Sequence, residues 1–206
     1  MLEVRGLACE RGDVRLFSDL EFSLGEGELL LVQGPNGSGK TSLLRLLAGL
    51  SRPAAGTIRW RGEAVAELRE TYAHELLFVG HANAVKDEFS ADENLALALE
   101  LCGRQASAAA RAEALERIGL ATRARLPARY LSQGQKRRVA LARLCLASDF
   151  PLWILDEPFA ALDTRALATV VALVDGHLER GGAVILTTHQ EVTIAARTRF
   201  SIVLEG

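Results

Sequence analysis

The 206-residue chain predicts an α/β fold, a sheet-containing lobe with a helical lobe inserted into it. Three observations carry that reading. First, an apolar run, Leu29-Leu30-Leu31-Val32-Gln33, passes through a glycine-rich loop into a leucine-rich helical stretch over 42–48 that Gly49 would stop. Second, Leu152-Trp153-Ile154-Leu155 is unbroken and apolar, as expected of a parallel strand covered on both faces, and a helical pattern follows it. Third, the region from about 83 to 148 carries helix caps and helical patterns in place of strands. The sheet-containing lobe then spans about 1–82 and 149–206 of one domain, which at this length has ample core.

The remaining elements follow in chain order. Strands are expected over 2–8, 20–24 and 28–33, with Gly25-Glu26-Gly27 as a hairpin-like turn. Ser51-Arg52-Pro53-Ala54-Ala55-Gly56 reads as a loop before strands over 57–60 and 76–79. Ser90-Ala91-Asp92-Glu93 fits a capping box, so a helix runs from there to about residue 101. A second helix spans 106–118 with Gly119 as its C-cap; its alanines are ordinary helix formers. Pro127 interrupts the chain before a helix over 136–146 that Ser132 can N-cap. A helix over 164–178 and strands over 183–186 and 200–204 complete the pattern.

Composition narrows the function classes. Hydrophobic residues make up 49%, which suits a packed globular protein. The net charge of −2 provides no overall field for nucleic acid or acidic membrane, and no nucleic-acid partner is expected. The local basic run Lys136-Arg137-Arg138 reads as a solvated or interface-edge helix face. No apolar run is long enough to span a bilayer. Met1-Leu2-Glu3-Val4-Arg5 reads as a strand and lacks the layout of a signal peptide. Cys9, Cys102 and Cys145 are far apart and form no Cys-x-x-Cys pair, so buried free thiols in a reducing compartment are expected.

The chemistry begins with Gly34-Pro35-Asn36-Gly37-Ser38-Gly39-Lys40-Thr41, which fits G-x-x-x-x-G-K-[ST] at every fixed position. Glycines let backbone N–H groups wrap an anion, and the helix opening at Ser42 adds its positive end. Lys40 can reach the β- and γ-phosphates of a nucleotide triphosphate, and the Thr41 hydroxyl can ligate Mg²⁺. The run at 152–155 ends in Asp156-Glu157-Pro158, two carboxylates where open α/β sheets bind ligands. Phosphoryl transfer needs one group for the metal and one for the attacking water, assigned here to Asp156 and Glu157.

With these motifs, Leu131-Ser132-Gln133-Gly134-Gln135 resembles the signature sequence of the ATP-binding cassette (ABC) ATPases, and the resemblance covers essentially the whole chain in family order. It implies a P-loop ATPase with a mixed or parallel sheet in its core lobe, an antiparallel β subdomain and the inserted helical lobe. It also implies a head-to-tail dimer in which Ser132, Gly134 and Gln135 of one copy face the γ-phosphate held by the other. Ala161-Leu162-Asp163 matches the dimer-contacting loop, and His189 the switch histidine that contacts the γ-phosphate.

Three positions depart from the family pattern. Gln133 replaces a glycine, and Gly80-His81 stands where a sensing loop usually has glutamine. Glu10-Arg11-Gly12 occupies the stretch that usually stacks an aromatic ring on adenine, so Arg11 or Phe17 would take that place.

The segments Leu7-Ala8-Cys9-Glu10-Arg11, Phe78-Val79-Gly80-His81 and Ile185-Leu186-Thr187-Thr188-His189-Gln190 look like those of the ATP-binding subunits of the bacterial cytochrome c maturation system, the haem exporter ATPases. That resemblance implies a separate membrane permease subunit and a location on the cytoplasmic face of the inner membrane. The alternatives are an ABC ATPase for another transported substrate, or a soluble cassette protein. The chain has neither the long coiled coil nor the second cassette that soluble members usually carry.

Overall fold

The apolar runs form a single parallel sheet. The computed structural model describes residues 1–205. In chain order the elements are β1 (Leu2–Arg11), β2 (Val14–Leu24), β3 (Glu28–Gln33), α1 (Lys40–Leu47), β4 (Ala55–Trp60), β5 (Glu63–Ala64), α2 (Val65–Leu68), α3 (Glu70–Ala73), β6 (Leu76–Val79), α4 (Ala91–Glu100), α5 (Ala108–Arg117), α6 (Gln133–Leu141), β7 (Leu152–Leu155), α7 (Thr164–Glu179), β8 (Ala183–Thr187) and β9 (Thr198–Val203). Five strands form a parallel sheet in the order β6-β7-β8-β3-β9, and four form an antiparallel sheet in the order β2-β1-β4-β5.

Alternation along the parallel strands divides the core in two. Leu29, Leu31, Trp153, Leu155, Val184 and Leu186 face a cluster supplied by α4, α5, α7 and the segment after α6. Their neighbours Leu30, Val32, Leu152, Ile154, Ala183 and Ile185 face α1 and the antiparallel sheet. Both faces are therefore dry, which is why these strands read as unbroken apolar runs.

Two helix starts carry the capping expected of them. Ser90 accepts from the Glu93 N–H while the Glu93 side chain accepts from the Ser90 N–H, and Ser132 and Gln135 do the same for α6. Gly49 takes a left-handed φ of 70° after α1, and the Leu50 N–H returns to the Arg45 carbonyl.

Four expectations are corrected. Gly25-Glu26-Gly27 is not a hairpin turn: β2 lies in one sheet and β3 in the other. The turn is pinned to the base of the parallel sheet, where the Gly27 N–H donates to Gly182 and its carbonyl accepts from Arg197. Strand β2 begins at Val14, because residues 14–19 pair with β1 through a largely exposed face that carries no apolar alternation. The helix expected over 136–146 starts at Gln133 and tightens to a 3₁₀ turn over Ala142–Leu146. All three cysteines are free, but only Cys9 is buried; Cys102 and Cys145 are partly exposed.

The base of the sheet also holds a buried histidine. His177, on α7, stacks on Trp153 with ring centroids 3.9 Å apart and planes 5° apart. A Cβ on Gly182 would collide with the imidazole. Burial, with the nearby Arg180 charge, pushes His177 down to about 4 from 6.5. The unfolded chain therefore binds this proton first. Stability from the neutral imidazole is complete above pH 6.5 and declines as pH falls towards 4, by up to about 3 kcal/mol. Urea midpoints measured between pH 7.5 and 4 should fall less steeply in His177→Phe than in the parent; identical slopes would contradict this assignment.

Candidate functional site

Four loops leave the C-terminal ends of β3, β6, β7 and β8 on one edge of the parallel sheet. Such an edge collects backbone groups that the ladder no longer pairs, so side chains or ligands must satisfy them.

The loop after β3 turns directly into α1. Gly34 has a φ of 140°, and a Cβ there would clash with the Leu204 carbonyl. Only glycine allows the loop to lie against the end of β9 in this way. Helix α1 starts at Gly39 with no side-chain cap and no acidic residue in its first turn. Its leading amides therefore have no side-chain acceptor, a condition that suits an anion. Lys40 folds over the loop, its Nζ donating to the carbonyls of Gly34 at 2.8 Å and Pro35 at 2.9 Å. Buried Ser38 has no partner for its Oγ.

The loop after β7 carries the two carboxylates. Asp156 is 2% exposed, and each of its oxygens accepts a hydroxyl proton: Oδ2 from Thr41 and Oδ1 from Thr187, both at 2.8 Å. The Glu157 N–H donates to Thr187 Oγ1 at 2.8 Å. Glu157 adopts a left-handed φ of 52°, uncommon for a residue with a Cβ, and its Oε1 lies 3.3 Å from His189 Nε2. Lys40, Thr41, Asp156, Glu157 and His189 thus meet around an open cleft of about 530 Å³, which His81 also lines.

Not every expected residue reaches this cleft. Ser132, Gly134 and Gln135 do not line it among the described residues. They form the start of α6, where a Cβ on Gly134 would lie 2.7 Å from the Ala161 carbonyl, so α6 packs directly on the 161–163 loop. Gln133 is exposed. Of the two residues weighed for the first strand turn, Arg11 lines the cleft with Leu16, whereas half-buried Phe17 packs against the core near Gly39.

Sequence reasoning missed two residues. Thr187 sits between Asp156 and the Glu157 amide, and only its place at the end of a strand beside His189 hinted at a role. Arg137, read as part of a solvated or interface-edge face, is 4% exposed; α6 turns it inward onto the ends of β6 and β7.

The family model described as "ABC transporter" matches residues 17–160. The cytochrome c biogenesis ATP-binding export protein CcmA of Dechloromonas aromatica is 51% identical over 198 residues, covering 96% of this chain and 97% of that one. The protein of the same name from Pseudomonas putida is 53% identical over 190 residues, 91% of this chain and 89% of that one. A dimeric ATP-binding cassette in a post-hydrolysis state, bound to ADP and Pi, superposes with a TM-score of 0.79 at 26% identity, covering 92% of this chain and 88% of the other. A family match over residues 17–160, with relatives about half identical over nearly the whole chain, shows that the chain belongs to the ABC transporter family, an ATP-hydrolysing cassette.

Proposed function

We propose that this ATPase drives a separate membrane subunit in the biogenesis of c-type cytochromes, in haem export or the release of haem to its chaperone, from the cytoplasmic face of the inner membrane. The observation that carries the reading is the hydroxyl–carboxylate chain Thr41–Asp156–Thr187–Glu157, set in a chain about half identical to the cytochrome c biogenesis export proteins. No helix among the described residues is long and apolar enough to cross a membrane.

The residues have distinct tasks. Residues 34–42 hold the phosphates through backbone amides and Lys40, which exchanges the Gly34 and Pro35 carbonyls for phosphate oxygens. Arg11, which lines the cleft, would stack its guanidinium plane on the base. No cluster of three or more His, Cys, Asp or Glu side chains is placed to hold a metal among the described residues. Mg²⁺ takes few protein ligands and completes its shell with phosphate oxygens and water. The Thr41 hydroxyl and Asp156 fit it, and Mg²⁺ would neutralise charge that develops on the phosphates. Glu157 accepts a proton from the attacking water, and His189 orients Glu157 and contacts the γ-phosphate.

The site is half of a shared one. The core lobe, about 1–82 and 149–206, holds ATP; the helical lobe, about 83–148, offers Ser132, Gly134 and Gln135 to a second copy. Exposed Ser132 lies outside the cleft of its own chain, which supports this arrangement. ATP then bridges two copies and hydrolysis releases them, a population shift set by differential binding. Exposed His81 and Phe89 lie on the stretch, about 81–93, that would pass this change to the membrane subunit.

Glu157→Gln should retain ATP binding while turnover drops roughly 10²–10⁴-fold. It should also fail to restore haem-stained c-type cytochromes to a bacterium lacking the corresponding subunit, which the parent chain should restore. Near-normal turnover in that variant removes Glu157 from the chemistry, and failure of the parent to restore cytochromes overturns the cytochrome assignment. Ser132→Arg should abolish hydrolysis yet leave ATP binding by each copy, despite losing a cap worth about 1 kcal/mol. Unimpaired hydrolysis by folded Ser132→Arg would contradict the shared site.

A further inference from the structure

The end of the parallel sheet raises a question of hydrogen bonding. The β6–β7 ladder continues as far as the Asp156 N–H, which donates to the Val79 carbonyl at 2.8 Å. Beyond that rung the carbonyls of Gly80, Asp156 and Glu157 find no strand partner. All three point at one side chain on a different element. Arg137 Nη2 donates to Asp156 at 2.7 Å and Glu157 at 2.8 Å; Nη1 donates to Gly80 at 2.9 Å and more weakly to Asn83 Oδ1 at 3.4 Å.

A buried cation needs a reason. Burial works against the Arg137 charge, and the Asp156 and Glu157 carboxylates work to keep it. Its Nε has no partner, so the side chain is held by its fork alone. Its neighbours on the same helix behave differently. Lys136 pairs with Asp87 and Arg138 lies 3.6 Å from Asp163, both carboxylates being largely exposed. Arg137 is the member of the basic run whose two Nη groups donate to main-chain or amide oxygens of its own chain.

The Glu157 backbone is thereby held on both sides. Thr187 accepts from its N–H, and its carbonyl accepts from Arg137 as well as from the Ala160 N–H at 3.2 Å, across a residue held in a left-handed conformation. A left-handed non-glycine residue persists only where its surroundings over-determine it. The same guanidinium holds Gly80, the residue before His81.

We propose that Arg137 is a positioning residue for ATP hydrolysis: from α6 it fixes the backbone that aims the Glu157 carboxylate and ties it to the 80–83 loop. The proposal rests on Glu157 acting as the base. Lysine cannot reproduce this effect, because one ammonium cannot span carbonyls on two strands as a planar fork does. Placement errors of about 1 Å at a reacting group cost up to about 10²-fold in rate.

The test is a double-mutant cycle on the purified chain, with ATP affinity, melting temperature, KM and kcat measured for each form. Arg137→Lys should bind ATP and melt close to the parent, keep KM within about 3-fold, and lose roughly 10–10²-fold in kcat. Arg137→Gln, which retains hydrogen bonding without the fork or the charge, should behave likewise. In a Glu157→Gln background Arg137→Lys should cost nothing further, since its effect passes through the carboxylate already removed. An unchanged kcat in folded Arg137→Lys, or a full additional loss in the double variant, overturns the positioning role while leaving Glu157 as the base. Normal turnover in Glu157→Gln alone removes the base and this proposal with it.

Discussion

The Asp156 carboxylate is the point on which the functional edge of the sheet depends. It is buried and anionic, so both oxygens must be paired or the fold bears the cost of an unsatisfied charge. The partners come from two other strands: Thr41 from the loop and helix after β3, and Thr187 from the last residue of β8. Strand order makes this possible. Because β8 lies between β7 and β3, its terminal hydroxyl stands beside Asp156, while Thr41 reaches in from the next strand over. A single carboxylate thus sets the relative position of three loops, and through Thr187 it also sets the Glu157 amide.

The surrounding groups are arranged to be exchanged. Lys40 spends its donors on loop carbonyls, and Thr41 spends its proton on Asp156. On the proposed reading a nucleotide replaces these bonds one for one, so each trade contributes little net free energy. What favours binding is the part with nothing to give up: the uncapped amides at the start of α1 and the loop backbone, already bent by its glycines. Preorganisation of this kind lowers the ordering cost of binding, so the open cleft can be shaped for phosphate before any arrives.

Elements whose signal is local could be read directly. Strands β3, β6, β7 and β8 are buried on both faces, and each appears as an apolar run with bounds within a residue of those observed. The capping box at Ser90 and the N-cap at Ser132 each lie within four residues of sequence, although the reciprocal Gln135 bond that completes a box at Ser132 is not part of the expectation. The phosphate loop and Asp156-Glu157 were legible because backbone approach to phosphate and strand-end carboxylates each demand particular residue types. What escaped notice depends on distant partners. Half of β2 is exposed and exists because β1 pairs with it. Thr187 is an ordinary threonine until Asp156 lies opposite. Within Lys136-Arg137-Arg138 nothing local says which cation turns inward; the carbonyls at the ends of β6 and β7 decide it, 57 and 20 residues away in sequence at Gly80 and Glu157.

That inward turn gives α6 two readers. At its first turn Ser132 and Gln135 close their capping box in the open, where a second chain has access. Between that turn and the next, Arg137 enters its own chain beneath Glu157. The two positions lie about 7 Å apart along one helix axis, a rigid spacing at 1.5 Å per residue. On the proposed reading, a second copy that shifts the start of α6 also shifts the guanidinium holding the Glu157 carbonyl. Alignment of the base is then coupled through one helix to the position of the second copy. On that reading one helix both offers Ser132 to the other chain and anchors the Glu157 backbone, so dimer formation and the geometry of the base are linked through Arg137.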